Sequence, residues 1–215
     1  MKTKTSKQLF TLIVACLATL AGYSQSAPYP DYKEGKYGYK DASGKMIIPY
    51  QYKSAGMFKE GLAYVAINSA ETSPQGIPYS KYGFIDTKGN IVIPMKYDNA
   101  ADFSEGLASV TLNKKTGFID KNDKVIIPFE YSGFTTGFLN GLAPVIKDGK
   151  YGVIDKAGKT VIDFKYEYID LFYEGVAKAE KIISVAGLAG QKKCGYLDKT
   201  GKEVIPFEYE AAGSF

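Results

Sequence analysis

Apolar and polar positions alternate in short bursts along the chain, separated by glycine, proline or a charged turn. No long segment after residue 24 sustains a helical period. In the burst Tyr82–Asp86 (YGFID), followed by Thr-Lys-Gly-Asn, Ile91–Ile93 and Pro94, β-branched and aromatic runs flank Asp-x-x-Gly. This predicts a hairpin. Asp86 suits the first position of a type I turn, where its carboxylate accepts backbone N–H groups. Gly89 suits the left-handed residue of the bulge that follows. Pro94 has no N–H and is expected to stop the strand or to lie at an edge. Tyr97 and Phe103 are expected to anchor an irregular connection, with at most a turn of helix over Asp98–Glu105, before Gly106 opens a third strand, LASVTL.

The pattern recurs in five copies that start at Gly38, Gly83, Gly117, Gly152 and Gly195. The first reads GYKDASGKMIIPYQYKSAGMFKEGLAYV, and the fifth stops at Phe215 before a GLA segment. The turn acid is Asp41, Asp86, Asp120, Asp155 or Asp198, and the turn glycine is Gly44, Gly89, Gly158 or Gly201. In the third copy Asp123 replaces that glycine, and aspartate tolerates left-handed φ better than most side chains. Eight residues after the acid stand Pro49, Pro94, Pro128 and Pro206, with Asp163 in the fourth copy; a tyrosine follows three residues later. A unit this small rarely folds alone, so neighbouring units must stack to bury their aliphatic faces. The predicted fold is all-β: tandem three-stranded antiparallel β-meander repeats stacked in an open twisted array. The alternative is a closed propeller-like ring. Rings often complete a blade from both termini, and nothing before Tyr37 is expected to supply the strand that the last copy lacks. Residues 25–35 are expected to be a short linker, and residues 36–215 the repeat domain.

These units resemble the WG-repeat family, in its exported bacterial type. Its units read as an aromatic–Gly pair, an aliphatic–Asp pair, a turn, V-I-P, a tyrosine, a phenylalanine and E-G-L-A. The resemblance covers residues 36–215, with one departure. The tryptophan position holds Tyr37, Tyr82 and Tyr151, then Thr116 and Cys194, and the chain has no tryptophan. The resemblance implies a general exported or interaction module.

The N-terminus changes the charge picture. Lys2, Lys4 and Lys7 precede the apolar run Leu9–Ala21, too short to span a bilayer as a stable helix. With Gly22 and Ser24 before Gln25, residues 1–24 read as a secretory signal peptide. The alternative is a lipoprotein signal anchored through Cys16. Removing three lysines and no acids lowers the net charge from +4 to +1. A near-neutral chain without basic clusters gives no electrostatic case for nucleic acid. No later segment is apolar enough to cross a membrane. Cys194 is then the single cysteine, so no intrachain disulfide forms.

Candidate chemistry is sparse. With no histidine, the chain lacks the commonest general base and metal ligand. The turns hold one acid each, short of the converging oxygens calcium needs. Neither a metal nor another cofactor is expected. Glu60, Glu105 and Glu174, with Asn140 in the third copy, precede the GLA strands. Two such carboxylates facing each other would suit a glycosidase, but identical positions in stacked units form a row rather than one asymmetric site. The reading is therefore non-catalytic, with a hydrolase as a remote alternative. Eighteen tyrosines admit a glycan platform on Tyr37, Tyr82 and Tyr151; core packing is the competing reading. Two connections are long, residues 67–80 and 181–192, and insertions in stacked repeats often mark a binding face. Tyr79, Ile182, Ile183, Val185 and Leu188 are the candidate binding residues there, for a protein partner or alternatively a glycan. A longer hairpin covering a sheet edge is the plain alternative.

Overall fold

The computed structural model describes residues 27–184 and 190–213. The leader with Cys16, and Val185 and Leu188 of the second insertion, lie outside the described residues. Among those described there is no helix, and the strands form five small antiparallel sheets. The first holds β1 (Tyr29–Lys33), β2 (Lys36–Lys40) and β3 (Met46–Tyr52). The second holds β4 (Ser54–Ala55), β5 (Leu62–Thr72), β6 (Pro78–Asp86) and β7 (Ile91–Tyr97). The third holds β8 (Asn99–Ala100), β9 (Ala108–Leu112), β10 (Lys115–Ile119) and β11 (Val125–Tyr131). The fourth holds β12 (Leu142–Lys147), β13 (Lys150–Asp155) and β14 (Thr160–Tyr166). The fifth holds β15 (Tyr168–Ile169), β16 (Val176–Ile183), β17 (Gln191–Asp198) and β18 (Glu203–Tyr209). Each is a meander in chain order.

Sheets and sequence copies are out of phase by one strand. The GLA strand of the first copy, β5, pairs with β6 of the second (Val65 opposite Gly83), and its sisters do the same. Each copy therefore begins in one sheet and ends in the next, which ties successive sheets together. Residues 29–33, within the expected linker, are a strand. With Asp31 opposite Gly38, β1 takes the place that GLA strands hold elsewhere. The expectation that nothing before Tyr37 supplies such a strand is corrected; without β1 the backbone edge of β2 would be unpaired. The expected helical turn over Asp98–Glu105 is absent, and β8 stands at its start.

The prolines do not stop their strands, contrary to one of the two sequence readings. β7 runs through Pro94, because Phe84 faces Ile93 while Tyr82 faces Tyr97. The surplus residues between Ile93 and Tyr97 form a bulge in which the missing N–H costs no ladder bond. β7 is an edge strand of its sheet. Pro49, Pro128 and Pro206 lie at the same exposed position. Opposite the bulge sits the repeat glycine. A Cβ built on Gly38, Gly83, Gly117, Gly152 or Gly195 would lie 2.4–2.8 Å from the carbonyl oxygen of the facing isoleucine. That backbone approach requires glycine.

Every internal sheet is buried on both faces. Phe84, Ile93 and Tyr97 point forward onto Ala108, Val110 and Ile119 of the third sheet and onto Phe103, from the segment between β8 and β9. Ile85 points back, with Ala63 and Val65, onto Tyr39, Ile48 and Tyr52 of the first. The remaining two layers repeat this arrangement. Each fully buried large apolar side chain contributes about 1.5–3 kcal/mol. Aromatic stacking threads the layers, with Tyr97 on Phe129 at 6.2 Å, Tyr131 on Phe164 at 6.2 Å and Tyr166 on Phe207 at 5.9 Å. Packing runs between successive sheets, β3 with β5, β7 with β9, β11 with β12 and β14 with β16. The array is open; the sheets close neither a barrel nor a ring.

Candidate functional site

The strands place two rows of turns, one at each end of the sheets. At one end lie the Asp-x-x-Gly turns. Asp86 Oδ1 accepts the N–H groups of Lys88 and Asn90 at 2.9 Å, and Asp41, Asp120, Asp155 and Asp198 accept the same pair in their copies. Gly44, Gly89, Gly158 and Gly201 have φ between +79° and +88°. The acids are thus occupied by their own turns. The Ser43 and Thr200 hydroxyls hold Asp41 and Asp198 below the ordinary aspartate range. Among the described residues no three potential ligands converge as a metal group. A cleft of about 790 Å³ lies beside the first two turns, lined by Pro28, Asp41, Ile47 and Lys88 among others. Its one acid is spent on the turn.

Asp123, the exception in this row, adopts φ +65°. Its carboxylate accepts the Tyr97 hydroxyl at 2.6 Å and pairs with Lys96. Burial, reinforced by that hydrogen bond, raises the Tyr97 hydroxyl above its ordinary pKa. The side chain thus offsets left-handed strain with a bond to the preceding sheet. Asp123→Ala keeps the strain and loses the bond, for a cost of about 2 kcal/mol. Asp123→Gly loses both together and is expected to stay within about 1 kcal/mol of the parent. Urea denaturation of the two variants checks the difference.

The Glu-Gly turns form a connected row. Glu60, Glu105, Asn140 and Glu174 all have φ between +48° and +55°, each followed by a left-handed glycine. Two-residue hairpins demand this backbone. The Glu60 carboxylate accepts the Gly106 N–H at 3.2 Å, and Glu105 Oε2 accepts that of Gly141 at 2.9 Å. Asn140 instead donates to the Phe172 carbonyl at 3.2 Å. Lys121 and Lys156 donate to the Glu60 and Glu105 carbonyls from two copies further on. Burial raises Glu60, but Lys121 and the Gly106 N–H outweigh it and leave the carboxyl below its ordinary value. The turn of Asn140 stands between those of Glu105 and Glu174, so these two acids do not face one another as a pair. Partners 32 to 61 residues away leave no local signal in the sequence.

The tyrosine row is half-buried rather than displayed. Tyr37 packs on Tyr32 at 4.9 Å, Tyr82 on Tyr64 at 6.1 Å and Tyr151 on Tyr168 at 5.3 Å. Thr116 and Cys194, at the same position, are buried.

Both insertions are extensions of central hairpins. β5 and β6 stay paired out to Thr72 and Pro78, and β16 and β17 out to Ile183 and Gln191. The sister connections close with two residues, Glu34-Gly35, Asn113-Lys114 and Asp148-Gly149. The first extension exposes Ile77 (63 %) and Tyr79 (49 %), and Ile67 at its base is exposed as well. A cleft of about 450 Å³ lined by Gly35, Lys36, Gln51, Lys53, Ile67, Asn68 and Pro78 lies at its base. On the second, Ile182 is exposed and Ile183 half-buried. Two sheets separate the extensions, about 30 Å at roughly 10 Å per sheet. Tyr79 and Ile182 therefore do not form one site. Lysines along this edge pair with acids, Lys81 with Asp98, Lys147 with Glu130, Lys150 with Glu167 and Lys192 with Glu180.

The sequence reading passed over Asp102. Its Oδ1 is buried without a hydrogen-bond partner, and a Cβ on Gly56 would meet that oxygen at 2.7 Å. Burial pushes the carboxyl up, partly offset by Lys59. Met57 and Leu171 hold the equivalent position in other copies. Asp102→Leu is expected to stabilise the protein by about 1 kcal/mol, read as a higher urea midpoint at neutral pH.

No curated protein matches the chain. No helix among the described residues is long and apolar enough to cross a membrane. The family described as "WG containing repeat" matches five times, over residues 37–69, 82–115, 117–151, 151–181 and 195–215. In each match the glycine faces a bulge and the residue before it varies, which explains how the motif persists without tryptophan. The chain belongs to the WG-containing-repeat family.

Proposed function

We propose that the protein is an exported, non-catalytic binding or scaffolding module of the cell envelope, and that the β5–β6 extension is its contact surface for another protein. The observation that carries this reading is the exposure of Ile77 and Tyr79 on a hairpin that outgrows its two-residue sisters, with Ile67 exposed at its base. Apolar residues beyond the sheet body add nothing to the inter-sheet layers, and grouped exposed apolar side chains mark interaction surfaces. The sequence leader, with its three lysines and apolar run, supports export.

Crosslinking in intact envelopes, with the wild-type chain and an Ile77→Ser/Tyr79→Ser variant side by side, tests the proposal. Both side chains are exposed, so the variant keeps its melting temperature. The expected result is a protein adduct on the wild type that the variant loses. Equal adducts on both chains would remove the hairpin from the reading. Adducts consisting of polysaccharide would replace the protein partner with a glycan.

A further inference from the structure

Two positions of each copy form a cross-strand pair at the edge that carries the hairpins. A lysine stands two residues before the repeat glycine, as Lys36, Lys81, Lys115, Lys150 and Lys193. The residue after the repeat tyrosine is Lys53, Asp98, Ser132, Glu167 or Glu210. The pairings Tyr37–Tyr52 and Tyr82–Tyr97, with their sisters, carry each lysine opposite the second position of its own copy. Lys81 meets Asp98 at 2.7 Å, Lys150 pairs with Glu167, and Lys193 lies 3.8 Å from Glu210. In the third copy Lys115 faces the neutral Ser132. The first copy instead sets a second cation there, and like charges directly opposite one another on a sheet are destabilising.

The acids of the flanking strands and turn are engaged elsewhere: Asp31 with Lys40, Glu34 with Lys33, and Glu71 beside Lys81. Among the described residues no acid pairs with Lys36 or Lys53, and residues 1–26, 185–189 and 214–215 include no aspartate or glutamate. β1 opens opposite Lys40, so the chain before it enters at the other end of the sheet. The two lysines line the cleft of about 450 Å³ at the base of the β5–β6 extension, with Gln51, Ile67, Asn68 and Pro78. Asn68 stands where Asn113 stands in the next sheet, two residues beyond the carbonyl that accepts the Lys53 or Asp98 N–H. The Asn113 N–H donates to Asp98 at 2.8 Å. The first copy thus keeps the lysine and the asparagine of its sister and exchanges the carboxylate for a cation.

We propose, on the reading of the β5–β6 extension as a protein contact surface, that this cleft binds an acidic side chain of the partner, held between Lys36 and Lys53. The sister pairs identify the ligand group, because three of them place a carboxylate on the equivalent lysine. Such a carboxylate replaces a repulsion with two charge-assisted contacts. Exposed Ile67 in the cleft, with Ile77 and Tyr79 on either side of Pro78, selects a peptide whose acid is flanked by apolar residues. A phosphate or a sulfated glycan would leave those side chains bare.

Amide chemical shifts, followed while acetyl-Leu-Glu-Leu-amide is titrated into the full chain, test the proposal. Acetyl-Leu-Gln-Leu-amide and inorganic phosphate are the comparison ligands. The expected result is saturating shifts at Lys36, Lys53 and Asn68 with the glutamate peptide, and binding about tenfold weaker with the glutamine peptide. Lys53→Asp rebuilds the Lys81–Asp98 pair in the first copy and should weaken the glutamate peptide at least as much. Lys115→Gln, at the lysine facing Ser132, should leave binding unchanged. Should Lys53→Asp not fold, Lys53→Gln removes the second charge without reversing it and reads the same loss. Shifts that do not saturate, equal binding of the two peptides, or binding indifferent to the Lys53 variant overturns the proposal. Phosphate bound as tightly as the glutamate peptide also overturns it, because the cleft would then take any anion. The lysine variants decide the cleft and Ile77→Ser/Tyr79→Ser decides the hairpin, so either reading can fail while the other stands.

Discussion

Gly83→Ala is expected to destabilise the protein by about 3 kcal/mol or more. The new Cβ would lie 2.4 Å from the Ile93 carbonyl oxygen, 2.7 Å from the Pro94 carbonyl carbon and 2.8 Å from the Met95 nitrogen. All three are backbone atoms inside a bulge, so no rotamer change relieves the clash. Separating the strands would break the Tyr82–Tyr97 and Phe84–Ile93 pairings, and with them the Phe84 layer. Gly44→Ala is the matched control. Its φ of +83° strains an alanine, but nothing stands within 4 Å, so the cost is about 1 kcal/mol. Urea denaturation followed by circular dichroism separates the two. If Gly83→Ala costs no more than Gly44→Ala, close approach is not why the glycine recurs. Tyr82 should be the more replaceable half of the pair, since Thr116 and Cys194 occupy its position in sister copies.

The fold was largely legible because the repeat presents each position five times. Asp-x-x-Gly betrays its turn through chain-local chemistry, and the exchange of Gly for Asp123 marks the left-handed residue. Strand phase was harder. A sequence copy is a period with no intrinsic origin, so LASVTL reads equally well as the last strand of its own sheet or the first of the next. That ambiguity hid β1, since YPDYK shares almost no residues with a GLA strand. The bulge was misread for a related reason. Proline signals a missing N–H, but only the facing glycine, eleven residues earlier at Gly83 for Pro94, shows that the ladder is already broken there. The candidate binding residues were found by the length of the two connections and the apolar run in the second. Exposure of Tyr79 and Ile182 needed coordinates, as did the two sheets that separate them.

Phe118→Ala tests the linear energetics of such an array. Phe118 is fully buried between the third and fourth sheets, with Phe138 at 4.8 Å and Ile127, Tyr131, Val145 and Ile154 around it. Truncation is expected to cost about 3–5 kcal/mol, since facing strands cannot close over the lost ring. In a stack where each sheet touches its neighbours, that loss falls on one coupling term. The first three sheets and the last two should then part company. Urea unfolding should broaden into two steps, and amide exchange should speed up in β12–β18 more than in β2–β7. Phe207→Ala removes a ring from the last layer, where Phe207 is 6 % exposed and stacks on Tyr166. It should release β17 and β18 while leaving a single main transition. A single sharp transition for Phe118→Ala, with exchange quickened equally from β2 to β18, would mean that the sheets fold as one indivisible unit. Stability would then reside in the shared backbone crossings that carry each copy from one sheet into the next, more than in the layers themselves.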